Sequence, residues 1–395
     1  MPEPGHSTVR CPAVRATLCQ SKREGMALPT MAQTKSVVTG GVGTHKDFHV
    51  AVALDHLGRR LGSEQFPANA SGYHKLLAWL YHFGQLEAVG VEGAGPWGAG
   101  LTRHLAAEGV KVLEVSRPKR QDRRRHGNPD AADAEAAARA VLAGDDLGTP
   151  KPATGATEAV RLLRVARRSA MKARTQAANQ VRSVIGTAPE ALRAELTGPS
   201  ERARMAKAAR LRADDPSSPL GAAKLALACL AKRWAALSAE VEALDTELAR
   251  LVTTTAPTLV APKGVGVETG GSLLRAAGDN PARLSSDRSF AALCGASPVD
   301  ASSGRCQGHH RLNRGGDREA NSALYTIVLN RLSWHQPTKD YMARRTAEGM
   351  SKKEVIRCLK RFVAREVYKA IMADLGAGDQ PKLKLGKARQ SQKAA

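Results

Sequence analysis

Aromatic residues are scarce in this 395-residue chain, which has four Trp, five Tyr and five Phe. Cores without aromatic bulk must be filled by Ala, Leu and Val, and such cores are usually helical. Long apolar runs are absent too. No window approaches the roughly 18 to 20 uninterrupted apolar residues of a membrane span, so no membrane partner is expected. The six cysteines, at 11, 19, 229, 294, 306 and 358, include no CxxC pair, which argues against zinc. Residues 1–30 lack the apolar segment of a secretory signal, so the expectation is free thiols in a reducing cytoplasm. Acids are in short supply. The 37 Asp+Glu against 60 Lys+Arg leave a formal charge of +23. That excess implies a polyanionic partner, most simply nucleic acid. The length suits two or three domains and not one core.

The positive charge has addresses. Residues 117–125 carry +5, 157–185 carry +6, 305–318 carry +3, 351–370 carry +5 and 381–395 carry +5, which together account for the whole excess. The grips expected from these segments are Arg117, Lys119, Arg120, Arg123, Arg124 and Arg125 in the first. They are Arg161, Arg164, Arg168 and Lys172 along one helical stripe in the second, Arg305, Arg311 and Arg314 in the third, and Lys352, Lys353, Arg357 and Arg361 in the fourth. A charge run is usually a solvated face. Here local acids are too few for i,i+4 pairing to absorb it, which favours phosphate binding.

Residues 1–35 show no periodicity and read as a disordered extension; Met26 and Met31 both precede the first strand-like run, and either could be the true start. From Ser36 the pattern predicts strands at 37–42, 49–54 and 60–66, a helix over 71–84, a strand at 88–91, a helix near 96–108, a strand at 110–115 and a helix at 129–144. Three meandering strands followed by alternating helix and strand is the order of a ribonuclease-H-like α/β domain, spanning 36–150. Residues 151–254 hold two long helical stretches, 157–186 and 220–252, with 196–219 read as a linker. Leu225, Leu230, Trp234, Leu237, Val241, Leu244, Leu248 and Leu251 form a seam that suggests a coiled coil and a dimerisation element. Residues 255–375 read as a mainly helical domain, and 376–395 as a basic disordered tail.

Three motifs could carry chemistry. Asp130 and Asp133 would share one face at a helix start, with Glu92 at the end of the fourth strand. Converging carboxylates suit Mg²⁺, although helix-start acids are common for dipole reasons alone. Pro262-Lys263-Gly264-Val265-Gly266 reads equally as a helix-hairpin-helix element, whose Gly264 and Gly266 expose backbone N–H groups to phosphate, or as a plain turn. Ser302 and Ser303, followed by Gly304 and arginines, could supply a nucleophile, but by spacing alone they read as a polar turn.

Together these segments resemble a family. Gly-Gly-Val-Gly-Thr-His-Lys-Asp-Phe-His at 40–49, Val-Glu-Gly-Ala-Gly at 91–95 and Asp-Ala-Ala-Asp-Ala at 130–134 resemble the RuvC-like DEDD domain of the IS-one-ten type insertion-sequence transposases. The 262–266 hairpin, Phe-Ala-Ala-Leu-Cys-Gly-Ala-Ser-Pro from 290, Ser303-Gly304 and Asn-Arg-Gly-Gly at 313–316 resemble that family's second domain. The resemblance covers about 36–372 and implies a DNA recombinase guided by a structured noncoding bridge RNA, which pairs with donor and target double-stranded DNA. It implies that Glu92, Asp130 and Asp133 are Mg²⁺ ligands and that Ser303, or its neighbour Ser302, is the nucleophile of a composite site. Recombination joins two duplexes, so the expectation is a homodimer that pairs into a tetramer on DNA, in the cytoplasm on the nucleoid. Where the family has its first Asp, this chain has Gly43; Asp47 and Asp55 are the nearest acids. The expectation is a transposase by architecture, impaired at one ligand. The alternatives are a catalytically inactive nucleic-acid-binding relative and a Mg²⁺-dependent junction-resolving nuclease.

Overall fold

The computed structural model describes residues 36–115, 130–145, 147–302, 304, 310–313 and 315–376. The expectations for 1–35, for the basic run 117–125 and for the tail beyond Gly376 lie outside the described residues.

The N-terminal unit is a five-stranded sheet with helices on both faces. Strands β1 (Val37–Thr44), β2 (Phe48–Asp55) and β3 (Arg60–Pro67) form an antiparallel meander, and the turn between β2 and β3 is closed by Asp55, whose carboxylate accepts from the backbone N–H of Leu57 and of Arg59. Helix α1 (Ala70–His82) begins where the Asn69 side chain accepts from Gly72 N. It leads to β4 (Gln85–Glu92), helix α2 (Ala99–Ala107), β5 (Val112–Val115) and, after residues outside the described set, helix α3 (Asp130–Leu142). The sheet order is β3-β2-β1-β4-β5, with β1 parallel to β4 and β4 parallel to β5. This is the mixed α/β arrangement that the order of elements predicts.

The two faces follow from strand alternation. Val38, Val42, Ala51, Val89 and Val91 face Leu76, Leu80, Leu101 and Leu105 of α1 and α2. The other face receives α3, whose Ala134 and Ala138 join Val50, Val52 and Leu54. Alanine here allows close approach, and glycine on the sheet completes it. A Cβ at Gly41 would lie 2.1 Å from the Ala134 carbonyl oxygen, and one at Gly90 would lie 2.6 Å from that of Ala137. Both positions therefore require glycine for α3 to seat.

Helix α4 (Ala156–Thr187) and helix α7 (Pro219–Thr255) form a long hairpin. The segment expected to be a linker, 196–219, instead contains part of the packing between them. After α5 (Glu190–Leu196), helix α6 (Glu201–Ala209) is capped by Ser200 and buries Met205 and Ala208 with Leu227 and Ala231 of α7. Its Gly, Pro and Ser residues mark the boundaries of these short helices. The seam on α7 is closed within the chain. Leu227, Ala231, Val241, Leu248 and Val252 are buried, whereas Leu225 is exposed. Their partners include Val160, Ala178, Val181 and Ile185 of α4.

The C-terminal unit packs α8 (Pro257–Val260), α9 (Val267–Ala277), α10 (Asp287–Leu293), α11 (Arg318–Trp334), α12 (Gln336–Ala347) and α13 (Lys352–Leu375) around Leu273, Leu274, Phe290, Leu324, Ile327, Val363 and Val367. A short hairpin of β6 (Pro298–Asp300) and β7 (His310–Leu312) projects from it. The junction between units is a bonded strap. Gly148 bridges to Glu114 of the sheet, and Asp279 accepts from the N–H of Gly155 and of Thr157. Within the strap, Lys151 donates to the Arg275 carbonyl at 2.8 Å, and burial with Arg283 and Arg275 nearby pushes its pKa down to about 8. Among the described residues, no helix is long and apolar enough to cross a membrane.

Candidate functional site

The first half-site lies at the carboxyl ends of β1 and β4, where open α/β sheets place their chemistry. Gly43 and Glu92 are register partners across the parallel ladder. Side chains in register share a face, so Glu92 lies on the α3 side; it is 7% exposed. The acids of α3 lie over the same point. A Cβ on Gly43 would be 3.3 Å from the Asp130 carbonyl oxygen and 3.8 Å from the Asp133 Cβ. Asp130 and Asp133 occupy the first turn of α3. Glu92, Asp130 and Asp133 thus lie around position 43, which has no side-chain oxygen, and among the described residues no three Asp, Glu, His or Cys side chains are grouped closely enough to hold a metal ion.

The neighbouring acids do not replace it. Asp55 pairs with Val38 at the opposite end of β1, and its carboxylate is committed to the β2–β3 turn and to Arg59. Asp47 lies exposed in the β1–β2 turn. Two residues missed by motif reading belong to this rim. His45 Nε2 lies 3.4 Å from Asp130 Oδ1. Trp97 is exposed on the turn after β4, a turn held against β1 because Thr44 Oγ1 donates to the Glu92 carbonyl at 2.8 Å. The His-Lys-Asp context of His45 was visible in the sequence; the exposure of Trp97 was not.

The second half-site is the β6–β7 hairpin. Ser303 and Arg305, between β6 and β7 in sequence, and Arg314, which follows β7, lie outside the described residues. Ser302 is exposed; both its amide and its hydroxyl donate to the Asp300 carboxylate, and these bonds hold the Asp300 carboxyl below the usual carboxylate range. Arg311 is exposed on β7. The two half-sites belong to different units of the chain.

The basic stripe of α4 is placed otherwise than its spacing suggests. Arg164 is 7% exposed; its guanidinium donates to the Glu268 carbonyl and to Ser272 Oγ and pairs with the Glu268 and Glu319 carboxylates. Arg168 also pairs with Glu319, and Arg161 with Glu158. These arginines are tied to carboxylates, and Arg164 and Arg168 fasten α4 to the C-terminal unit. The acids of Arg164 and Arg168 come from helices more than a hundred residues away, which local spacing cannot reveal. Lys172 lies exposed further along α4. On α13, Lys352 and Lys353 are exposed at the start, Arg357 pairs with Glu354 and Arg361 with Asp287, whose carboxyl is held low by that guanidinium.

The 262–266 turn joins two helices, as expected. Gly264 has φ +94°, and Gly266 precedes α9 with its N–H donating to Thr269 Oγ1. Arg331 pins the turn by donating to the Lys263 carbonyl at 3.1 Å while pairing with Glu366. Lys263 and Gly266 are exposed.

A sheet with acids at its strand ends, joined to a basic helical unit, defines a class of nucleic-acid-processing protein, and comparison with known families gives it a name. A transposase family of the DEDD IS110 type matches residues 41–188, and the transposase IS116/IS110/IS902 family matches residues 257–343. The first match spans the sheet unit and helix α4, the second lies in the C-terminal unit, and together they cover more than half of the chain. The chain belongs to the IS110-type transposases. No curated protein matches it.

Proposed function

We propose that this chain is an RNA-guided DNA transposase whose two units supply halves of a composite site, with the carboxylate half weakened at Gly43. The register of Gly43 with Glu92, beneath Asp130 and Asp133, carries this reading: the acids converge on a point where residue 43 offers hydrogen and not oxygen. In the serine half, the Ser303 oxygen bonds to phosphorus, one DNA oxygen leaves, and the hydroxyl proton goes to a base. Exposed Lys172, Arg311, Lys352 and Lys353 supply sequence-independent phosphate contacts. The 262–266 turn, with exposed Lys263 in it, is a further phosphate-facing element of helix-hairpin-helix type.

The family's DEDD domain points to a divalent metal, and Mg²⁺ suits all-oxygen donors. The described residues do not fit a closed site: among them, no three Asp, Glu, His or Cys side chains lie close enough to hold an ion. Position 43, in register with Glu92, offers no further oxygen. The metal-dependent half of the reaction is therefore the half this chain lacks, while nucleic-acid binding is retained.

Strand exchange joins two duplexes, so the active form is a homodimer that pairs into a tetramer on donor and target DNA, with a structured noncoding RNA, in the cytoplasm. Trapping a protein–DNA adduct tests the serine reading. In a Gly43→Asp background, an adduct that Ser303→Ala abolishes and Ser302→Ala spares supports it. Cleavage that survives Ser303→Ala favours a junction-resolving nuclease.

A further inference from the structure

We propose that Asn321 and Lys360 form the positioning device of the hairpin that carries Ser303: the Lys360 ammonium sets the orientation of the Asn321 amide, and that amide holds the first arm of the hairpin at Cys294 and Gly295. The proposal rests on the serine reading for its catalytic consequence, though not for its structural one.

The geometry is fully specified. Lys360 Nζ, on α13, donates to Asn321 Oδ1 at 2.5 Å. Asn321 Nδ2, on α11, donates to the Cys294 carbonyl at 2.8 Å and to the Gly295 carbonyl at 2.9 Å. An ammonium has donors and no acceptor, so only the amide oxygen can face it, and the two N–H groups are directed at the two carbonyls. A flipped amide would set oxygen against both carbonyls and nitrogen against the ammonium. Lys360 thus leaves one orientation.

Those carbonyls lie where the hairpin begins. Gly295 has φ +61° and packs so closely on the returning arm that a Cβ at Gly316 would lie 2.1 Å from the Gly295 nitrogen. Asn313 N donates to the Ser297 carbonyl, and Asp317 N donates to the Leu293 carbonyl. Both arms are fixed at their base, and the loop with Ser303 extends beyond β6 and β7.

Stability alone does not explain the lysine. Lys360 is 5% exposed, and among the described residues its side-chain hydrogen bond goes to the Asn321 amide oxygen. Burial accordingly pushes its pKa down. A buried ammonium with a single amide partner is costly, and an apolar side chain of the same length would pack without that cost. What the ammonium supplies is direction for the amide.

Asn321→Asp is the informative variant. Its carboxylate keeps and strengthens the contact with Lys360 but presents acceptors to two carbonyls, so the fold is retained while the clamp is lost. Lys360→Met removes the orienting charge and keeps the volume. In both, hydrogen exchange of amides 296, 297, 299–301 and 310–313 is expected to rise roughly tenfold or more with the melting temperature nearly unchanged. DNA affinity should stay within about twofold, while adduct formation in the Gly43→Asp background falls by about tenfold or more. Unchanged hairpin exchange in either folded variant overturns the proposal. A loosened hairpin together with an adduct that survives Ser303→Ala leaves the clamp standing and removes the serine reading instead.

Discussion

Gly43 sits directly opposite Glu92 in the β1–β4 ladder, on the face that α3 covers. It is the third glycine of a stripe with Gly41 and Gly90, yet its surroundings differ from theirs. At 41 and 90 a Cβ would meet the α3 backbone at 2.1 and 2.6 Å, whereas at 43 the nearest atom is 3.3 Å away. Packing therefore demands glycine at two of the three positions and only mild adjustment at the third. The seating of α3 therefore leaves room for a Cβ at position 43.

Alanine substitutions separate these cases. Gly41→Ala should destabilise by roughly 1–3 kcal/mol or more through overpacking, and Gly43→Ala by less than about 1 kcal/mol. Denaturant midpoints check this; equal losses at 41 and 43 would contradict it.

Arg164 and Lys172 should diverge although they share a helix. Arg164→Met removes a buried guanidinium that donates to the Glu268 carbonyl and to Ser272 Oγ, and should cost about 1–3 kcal/mol of stability. Lys172→Ala should leave the melting temperature in place and lower the slope of log affinity against log salt by about one. Salt titrations of nucleic-acid binding alongside thermal melts measure both.

His49 predicts a pH dependence. It is buried on β2 and stacked on Tyr73 with ring centroids 5.7 Å apart; burial is the main cause that pushes its pKa below the ordinary value, with His45 adding to the shift. The unfolded chain then binds more protons than the folded one near pH 6, so stability rises with pH there. This contribution is complete above the unfolded pKa of about 6.5 and is lost as the pH falls below it. His49→Phe should flatten the fall in melting temperature between pH 7 and pH 5; a parallel fall in the variant would contradict the assignment.

The sheet was legible because its signals are local. The Asp55–Gly58 turn, the Asn69 cap and alternating Val and Ala residues mark each strand and helix where they occur. Glu92, Asp130 and Asp133 were legible for the same reason, since strand ends and a DxxD helix start are short patterns. The fate of Arg164 and Arg168 was not, because Glu268 and Glu319 reach them from α9 and α11. The seam on α7 was legible as a helical face but not as one covered by α4 of the same chain. Its buried set is led by Leu227 and Ala231, while Leu225 points outward. The Asn321–Lys360 clamp has no sequence signature, since it joins residues of α11 and α13 to the loop after α10.

Gly43 is proposed to stand where a carboxylate ligand is missing beside Glu92, Asp130 and Asp133. The most direct measurement compares divalent-metal-dependent strand exchange by the natural chain and by Gly43→Asp, with the same guide RNA and both DNAs. The account predicts little exchange with glycine and a large Mg²⁺-dependent gain with aspartate, at unchanged nucleic-acid affinity. Equal activity of the two chains would contradict it.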